Sequence, residues 1–310
     1  MASILITGAG GFFGKALIRA FTGAGYQVLA ADVFPLTEFV PRPGTEDFRY
    51  VRMDVADPVA WESSNLRGVS GVVHAAAVTP TSEQMQANPR SLVAVNLGGT
   101  LNALEFARSA GCTKFLFISS AGVYDQSSDR VLSESDADGG SSLYGSAKLA
   151  AELMLWRYGR MFDFDVGAIR PTSLYGPAEE MRGTRPFVTQ VKMLVDAVSR
   201  RRPVRLEGLD ARCDWVYVDD AADAAVKLFA SKMERRAFNV AAGQPTAFKH
   251  VVAAVERVLP IETSSDSEYV VDGGPDRAAV ISNESIRMAL AWVPEHDLAS
   301  GIRAYLAEAD

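Results

Sequence analysis

Thr7-Gly8-Ala9-Gly10-Gly11-Phe12-Phe13-Gly14 is the stretch from which the rest of the chain can be read. It follows a short apolar run, Ser3-Ile4-Leu5-Ile6, and leads into a helical pattern over 14–22. Gly8, Gly11 and Gly14 therefore fall in the turn between a strand and a helix. Glycine permits a tight turn there and lets the backbone approach a pyrophosphate at the helix N-terminus. Phe12 and Phe13 stand between the last two glycines, so the spacing departs from plain GxGxxG.

A second strand pattern, 27–32, ends on Asp32. A carboxylate at that point can accept hydrogen bonds from the adenosine ribose and repels a 2′-phosphate. Val33-Phe34 offer no arginine in its place, so NAD is expected in preference to NADP. After a third pattern, 48–52, Asp54-Val55 can meet the adenine edge, or Asp54 can close a solvated turn.

Further outward, strand patterns recur at 71–75, 113–119 and 165–170, and helical patterns at 89–110 and 143–161. This alternation predicts an α/β chain built on a Rossmann-type, doubly wound parallel sheet. Buried parallel strands read as continuous apolar runs, as Phe115-Leu116-Phe117-Ile118 does. Beyond Pro171 a loop rich in Gly, Pro and charge runs to Pro186. A helix over 187–200, a strand-like 204–206, a run over 215–218, a helix over 221–231 and a last helix over 298–307 follow. The expected organisation is a nucleotide-binding domain over 1–175, with a return segment within 212–243 whose strand is 237–241. A smaller, partly interleaved substrate domain covers 176–310.

Composition narrows the partners. The 310 residues are 48% apolar, enough for a large core. A net charge of -7 provides no basic field for nucleic acid, and no apolar run is long enough to span a membrane. Cys112 and Cys213 lack metal or redox spacing, and His74, His250 and His296 are scattered, so no metal is expected. Two reduced thiols and no signal-like leader point to the cytoplasm.

Tyr144-Gly145-Ser146-Ala147-Lys148 places a phenol and an ammonium one helical turn apart on the same face. A free tyrosine ionises near pH ~10, and a neighbouring cation favours the phenolate. The pair follows a strand and the turn Ser119-Ser120-Ala121-Gly122-Val123-Tyr124 in a chain that already carries the nucleotide turn.

Together these motifs resemble the extended short-chain dehydrogenase/reductase, or NAD-dependent epimerase/dehydratase, family over nearly the whole chain. The resemblance implies a role for each matching position. Val73-His74-Ala75-Ala76-Ala77 corresponds to the segment passing the cofactor, and Asn96 to the asparagine that shapes the helix beside the active site. Ser120 would hydrogen-bond the reacting oxygen, Tyr144 would be the acid/base, and Lys148 would hold the nicotinamide ribose. Arg170-Pro171-x-Ser173-x-Tyr175-Gly176-Pro177 would lie behind the nicotinamide, with Pro171 and Ser173 on the cofactor. Asp214-Trp215-Val216-Tyr217-Val218-Asp219-Asp220 matches a segment returning toward the sheet. A homodimer through helices 89–110 and 143–161 is implied as well. His74, at a strand end, reads as a packing residue rather than a base.

Departures from the family pattern narrow the reaction. Dehydratases of this family carry an Asp-Glu pair after the catalytic Ser/Thr, and decarboxylases a glutamate; here those places are Ala121 and Gly122. Neither exchanges a proton. Many nucleotide-sugar epimerases carry an asparagine where Ser173 stands and a diphosphate-binding arginine where Cys213 stands. Arg212 is adjacent, but neighbours on an extended strand face opposite ways. Arg182 and Arg185 can bind a substrate carboxylate or phosphate, or belong to a solvated lid. Arg200-Arg201-Arg202 reads as a helix C-terminus at the surface.

The expectation is an NAD-dependent dehydrogenase drawing a hydride from a secondary hydroxyl of a sugar, sugar acid or lactone. Ser120, Ala121, Tyr144, Ser173, Arg182 and Arg185 would face that small carbohydrate. The alternative is a nucleotide-sugar epimerase, like UDP-glucose 4-epimerase, with tightly held NAD.

Overall fold

Seven parallel strands form the central sheet of the protein, seen in a computed structural model that describes residues 2–35, 48–64 and 66–309. They are β1 Ser3–Thr7, β2 Gln27–Asp32, β3 Phe48–Arg52, β4 Gly71–His74, β5 Lys114–Ile118, β6 Asp165–Pro171 and β7 Arg236–Val240. Their order is β7-β6-β5-β4-β1-β2-β3. The chain therefore winds outward one way from β1, then returns to β4 and winds the other way. That reversal opens a crevice past the carboxyl ends of β1 and β4, where ligands bind in open α/β sheets. Thr7 pairs with His74 in the register at that edge.

Alternation along β1 sends Ile4 and Ile6 to one face of the sheet and Leu5 to the other. Ile4 and Ile6 pack with Leu17 and Phe21 of α1, Phe12–Gly23, and with Ala225 and Leu228 of the helix Val218–Ala230. Leu5 packs with Phe115 and Phe117, with Leu104 and Ala107 of helix Gly99–Ser109, and with Ala151 and Leu155 of α2, Leu143–Met161. A third cluster, outside the sheet, gathers Tyr175, Leu194, Trp215, Phe248, Val251 and Ile302. The strand expected at 237–241 is β7, hydrogen-bonded to β6 and so part of the main sheet.

The helix expected over 89–110 is broken. It runs as Pro89–Val93, a single π-helical turn Ala94–Gly98, then Gly99–Ser109. Gly99 sits flush on Val55, where a Cβ would come within 2.8 Å of Cγ2, so two layers meet closely just past the widened turn. The later helix begins at Gln190 rather than 187, because the Thr189 hydroxyl accepts from Lys192 N and caps it. The 204–206 run is the strand Arg205–Glu207, pairing in parallel with Val270–Asp272, a partner with no periodic signal of its own.

Candidate active site

A cleft of about 380 Å³ runs along the carboxyl edge of the sheet, with the glycine turn at one end and Ser173, Cys213 and Trp215 at the other. Gly8 adopts φ +67, and a Cβ there would lie 2.6 Å from Ala76 N, so the turn admits no side chain. A Cβ on Gly14 would collide with the Gly8 carbonyl. Helix α1 starts at Phe12 behind Gly11, which offers no side-chain cap, so its first N–H groups remain available to an anion.

Asp32 is buried at the end of β2. Its Oδ2 accepts from Gly10 N at 2.9 Å and its Oδ1 from Phe34 N at 2.9 Å. Each oxygen keeps a lone pair for a ribose hydroxyl. Gly8, Gly11, Phe12, Phe13, Gly14, Ala75 and Ala77 line the cleft, whereas Ala76 lies beneath it with its N–H on Thr7 Oγ1. Asp54 and Val55 do not line it. Asp54 closes a turn onto Ala56 N, and the Val55 carbonyl accepts from Trp61 Nε1 and Asn102 Nδ2.

Ser120, Tyr144 and Lys148 are brought together by the end of β5, the short turn that follows it and α2. Helix α2, capped by Ser142, carries Tyr144 and Lys148 on one face. Lys148 is buried, its Nζ donating to the Ile118 carbonyl at 2.7 Å and lying 4.8 Å from the Phe117 ring centroid. Burial pushes its ammonium down to about 7, against the opposing carboxylate of Glu152 one turn on. Ser120 and Tyr144 flank Gly122, where an added Cβ would meet Ser120 Oγ at 3.2 Å and the Tyr144 ring at 3.4 Å. Burial pushes the Tyr144 phenol up, while the Ser120 hydroxyl and the Arg185 guanidinium pull it down.

Asn96 does not line the cleft. Its Oδ1 accepts from Val78 N and its Nδ2 donates to Val78 O, so it holds the loop between Ala77 and Thr79, which do. Ala121 is buried under Ser120 in a short turn. His74 is also buried and bonded to Thr7 Oγ1; burial holds it near 3, with Lys148 adding to the effect, so it stays neutral.

The 178–186 loop crosses the cleft. Thr79 N donates to Thr184 O, Arg182 lies over Phe34, and Arg185 lies over Phe12 and Phe187 while pairing with Glu179. Arg182 and Asp32 flank Gly10 together. Glu180, unremarked in the sequence, bridges Lys15 and Arg182 within the cleft.

The matching family model spans residues 4–241 and describes the NAD dependent epimerase/dehydratase family. The chain belongs to this family. It is therefore an enzyme chain, and NAD is the cofactor its family uses. It is 28% identical over 312 residues to UDP-glucose 4-epimerase of Mycolicibacterium smegmatis, covering 96% of this chain and 95% of that one. It is 27% identical to dTDP-glucose 4,6-dehydratase of Streptomyces griseus, over 98% and 93%. Among solved structures it superposes on Thermus thermophilus UDP-glucose 4-epimerase with NAD at TM-score 0.82, with 25% identity and 98% of each chain covered. MoeE5 with UDP-glucuronic acid and NAD superposes at TM-score 0.80, 25% identity, over 99% and 98%.

The cradle fits the family's cofactor: a glycine turn with no room for side chains and an uncapped helix start line one cleft, and the Asp32 carboxylate, not itself among the lining residues, is held behind that turn by Gly10 N. Among the described residues, no group of His, Cys, Asp and Glu is placed to hold a metal, and no helix is long and apolar enough to cross a membrane.

Several cleft residues lie outside the sequence motifs: Glu180, Gln190 and Arg277. Arg277 Nη1 donates to Ser173 Oγ at 3.0 Å and lies 3.8 Å from Cys213 Sγ. No spacing links position 277 to 173 or 213. They meet where Arg277 N donates to Arg212 O, beside Cys213.

Proposed function

We propose that the protein is an NAD-dependent 4-epimerase of a nucleoside-diphosphate sugar, which oxidises a secondary hydroxyl and restores it with inverted configuration. The observation that carries this reading is the placement of Ser120, Tyr144 and Lys148 on the same cleft as the glycine turn, with proton-inert Ala121 and Gly122 following Ser120. Alignment with UDP-glucose 4-epimerases over nearly the full length of both chains supports it. Ala121 and Gly122 speak against the dehydratase activity of the Streptomyces griseus relative, since neither can protonate a departing hydroxyl.

NAD, bound along the cleft, supplies a reversible hydride acceptor. Tyr144 takes the substrate hydroxyl proton at its phenolic oxygen and returns it, and Ser120 orients that oxygen. Lys148, held on the Ile118 carbonyl, favours the Tyr144 phenolate and holds the nicotinamide ribose. Asp32 takes the adenosine ribose, and Pro171 and Ser173 stand behind the nicotinamide. Residues 1–175 with the return segment form the NAD-binding domain, and 176–310 the substrate domain. The same reading includes a homodimer, supported by Val93, Leu101, Leu153 and Met154, apolar and exposed on the helices beside the sheet.

Cys213 favours a second reading, a dehydrogenase that releases its oxidised sugar, because it is neutral where many epimerases carry a diphosphate-binding arginine. Incubation with UDP-glucose and NAD separates the two. A stereoisomer by NMR with no net NADH supports the epimerase, and stoichiometric NADH supports the dehydrogenase.

A further inference from the structure

Cys213 leaves the far end of the cleft without a cation on its own strand, and neighbouring Arg212 does not supply one. Arg212 is committed at the rim, where its guanidinium pairs with Asp129 at 2.5 Å and with Asp276 at 2.7 Å. The Asp276 carboxylate also accepts from Arg212 N, and Arg277 N donates to Arg212 O at 2.8 Å. Two adjacent pairs are thereby clamped together. Arg212 and Asp276 close on each other, while Cys213 and Arg277 meet at Ser173 inside the cleft.

The surroundings are rich in donors. Among the described residues the side-chain partners of Arg277 are neutral, Ser173 Oγ and Cys213 Sγ, and a guanidinium carries five donors. Trp215, on the same wall, has a buried indole N–H without a partner. The Gln190 amide also lines the cleft, against Gly274. The nearby buried carboxylate, Asp214, is occupied by Thr172 Oγ1 and the backbone N–H groups of Ala242, Gly243 and Gln244. An arginine without a carboxylate partner beside spare N–H donors suits an oxyanion.

We propose that Arg277, with Ser173 and Gln190, is the substrate-anion site of this enzyme and selects substrates carrying a phosphate or carboxylate group. The assignment rests on the sugar-oxidoreductase reading above and adds the class of substrate it accepts. Arg212 and Asp276 are positioning residues that present Arg277.

Equilibrium titration of the NAD-loaded protein with UDP, with D-glucuronate and with neutral D-glucose tests it without requiring turnover. At least one anion should bind, more weakly as salt rises, and Arg277→Gln should weaken it by about ten-fold or more, the loss expected for one charge-assisted contact. NAD affinity should be unchanged in that variant, which establishes that it is folded. Cys213→Arg added to Arg277→Gln should recover part of the affinity, a rescue that a purely structural Arg277 would not allow. Preferential binding of UDP assigns the anion to a nucleotide sugar. Preferential binding of glucuronate assigns it to a sugar acid, which sustains the anion site while removing the nucleotide-sugar reading. If neither anion binds, or Arg277→Gln binds both as the wild type does, the site is overturned.

Discussion

The Lys148 ammonium lies 5.9 Å from the centroid of the Tyr144 ring, one helical turn away on α2, with its Nζ anchored on the Ile118 carbonyl. The proposed acid/base and the ammonium beside it are thus held by one helix and one strand end. Replacing Tyr144 by Phe removes the proton-carrying oxygen and little else. Tyr144→Phe should bind NAD as the wild type does and lose at least about two orders of magnitude in turnover. Near-normal turnover would require another acid/base in the cleft.

Burying Lys148 costs stability. Its folded value of about 7 lies below the ordinary 10.5, so between these pH values the unfolded chain binds more protons than the folded one. Wild-type stability from this group therefore rises across that window, and the penalty is full below pH 7. Lys148→Met should melt higher than the cofactor-free wild type at pH 6, by on the order of a few kcal/mol less the lost bond to Ile118. The advantage should fade by about pH 10.5. Thermal melts across pH check this, and a pH-independent difference would contradict it.

Asp32 and Arg182 flank Gly10 from two sides. The wild type should prefer NAD because the carboxylate repels a 2′-phosphate. Asp32→Asn keeps an oxygen for Gly10 N, removes the repelling charge and leaves Arg182 beside the ribose position. Its NADP affinity should rise by about ten-fold or more relative to NAD. Equal wild-type affinities for the two cofactors in a titration would count against the assignment.

Much of this site was legible because it rests on local chemistry. The glycine turn, Asp32 at a strand end and the Tyr144–Lys148 spacing each need only a few neighbouring residues, and continuous apolar runs marked the sheet. What escaped depends on tertiary approach. The π-helical turn carries Asn96, whose side chain grips Val78, and the Lys15–Glu180 bridge joins residues far apart in the chain. Arg182 reads in sequence as a substrate residue or part of a solvated lid, and its stacking on Phe34 carries no sequence signal. Cys213 implied a missing cation until the fold brought Arg277 beside it.

Leu153 is 58% exposed in the middle of α2, on a helix whose opposite side is buried. A partner subunit would cover it. Leu153→Asp should convert a homodimer into monomer in light scattering with NAD binding retained. A wild-type monomer at micromolar concentration would remove the dimer from the account.

The central claim, that a hydride leaves a sugar carbon and returns to it, is tested most directly with UDP-glucose deuterated at C4, incubated with the NAD-loaded enzyme. The epimerase account predicts UDP-galactose carrying the deuterium at C4 and no deuterated NADH in solution. Deuterium appearing in free NADH alongside a keto product would contradict it.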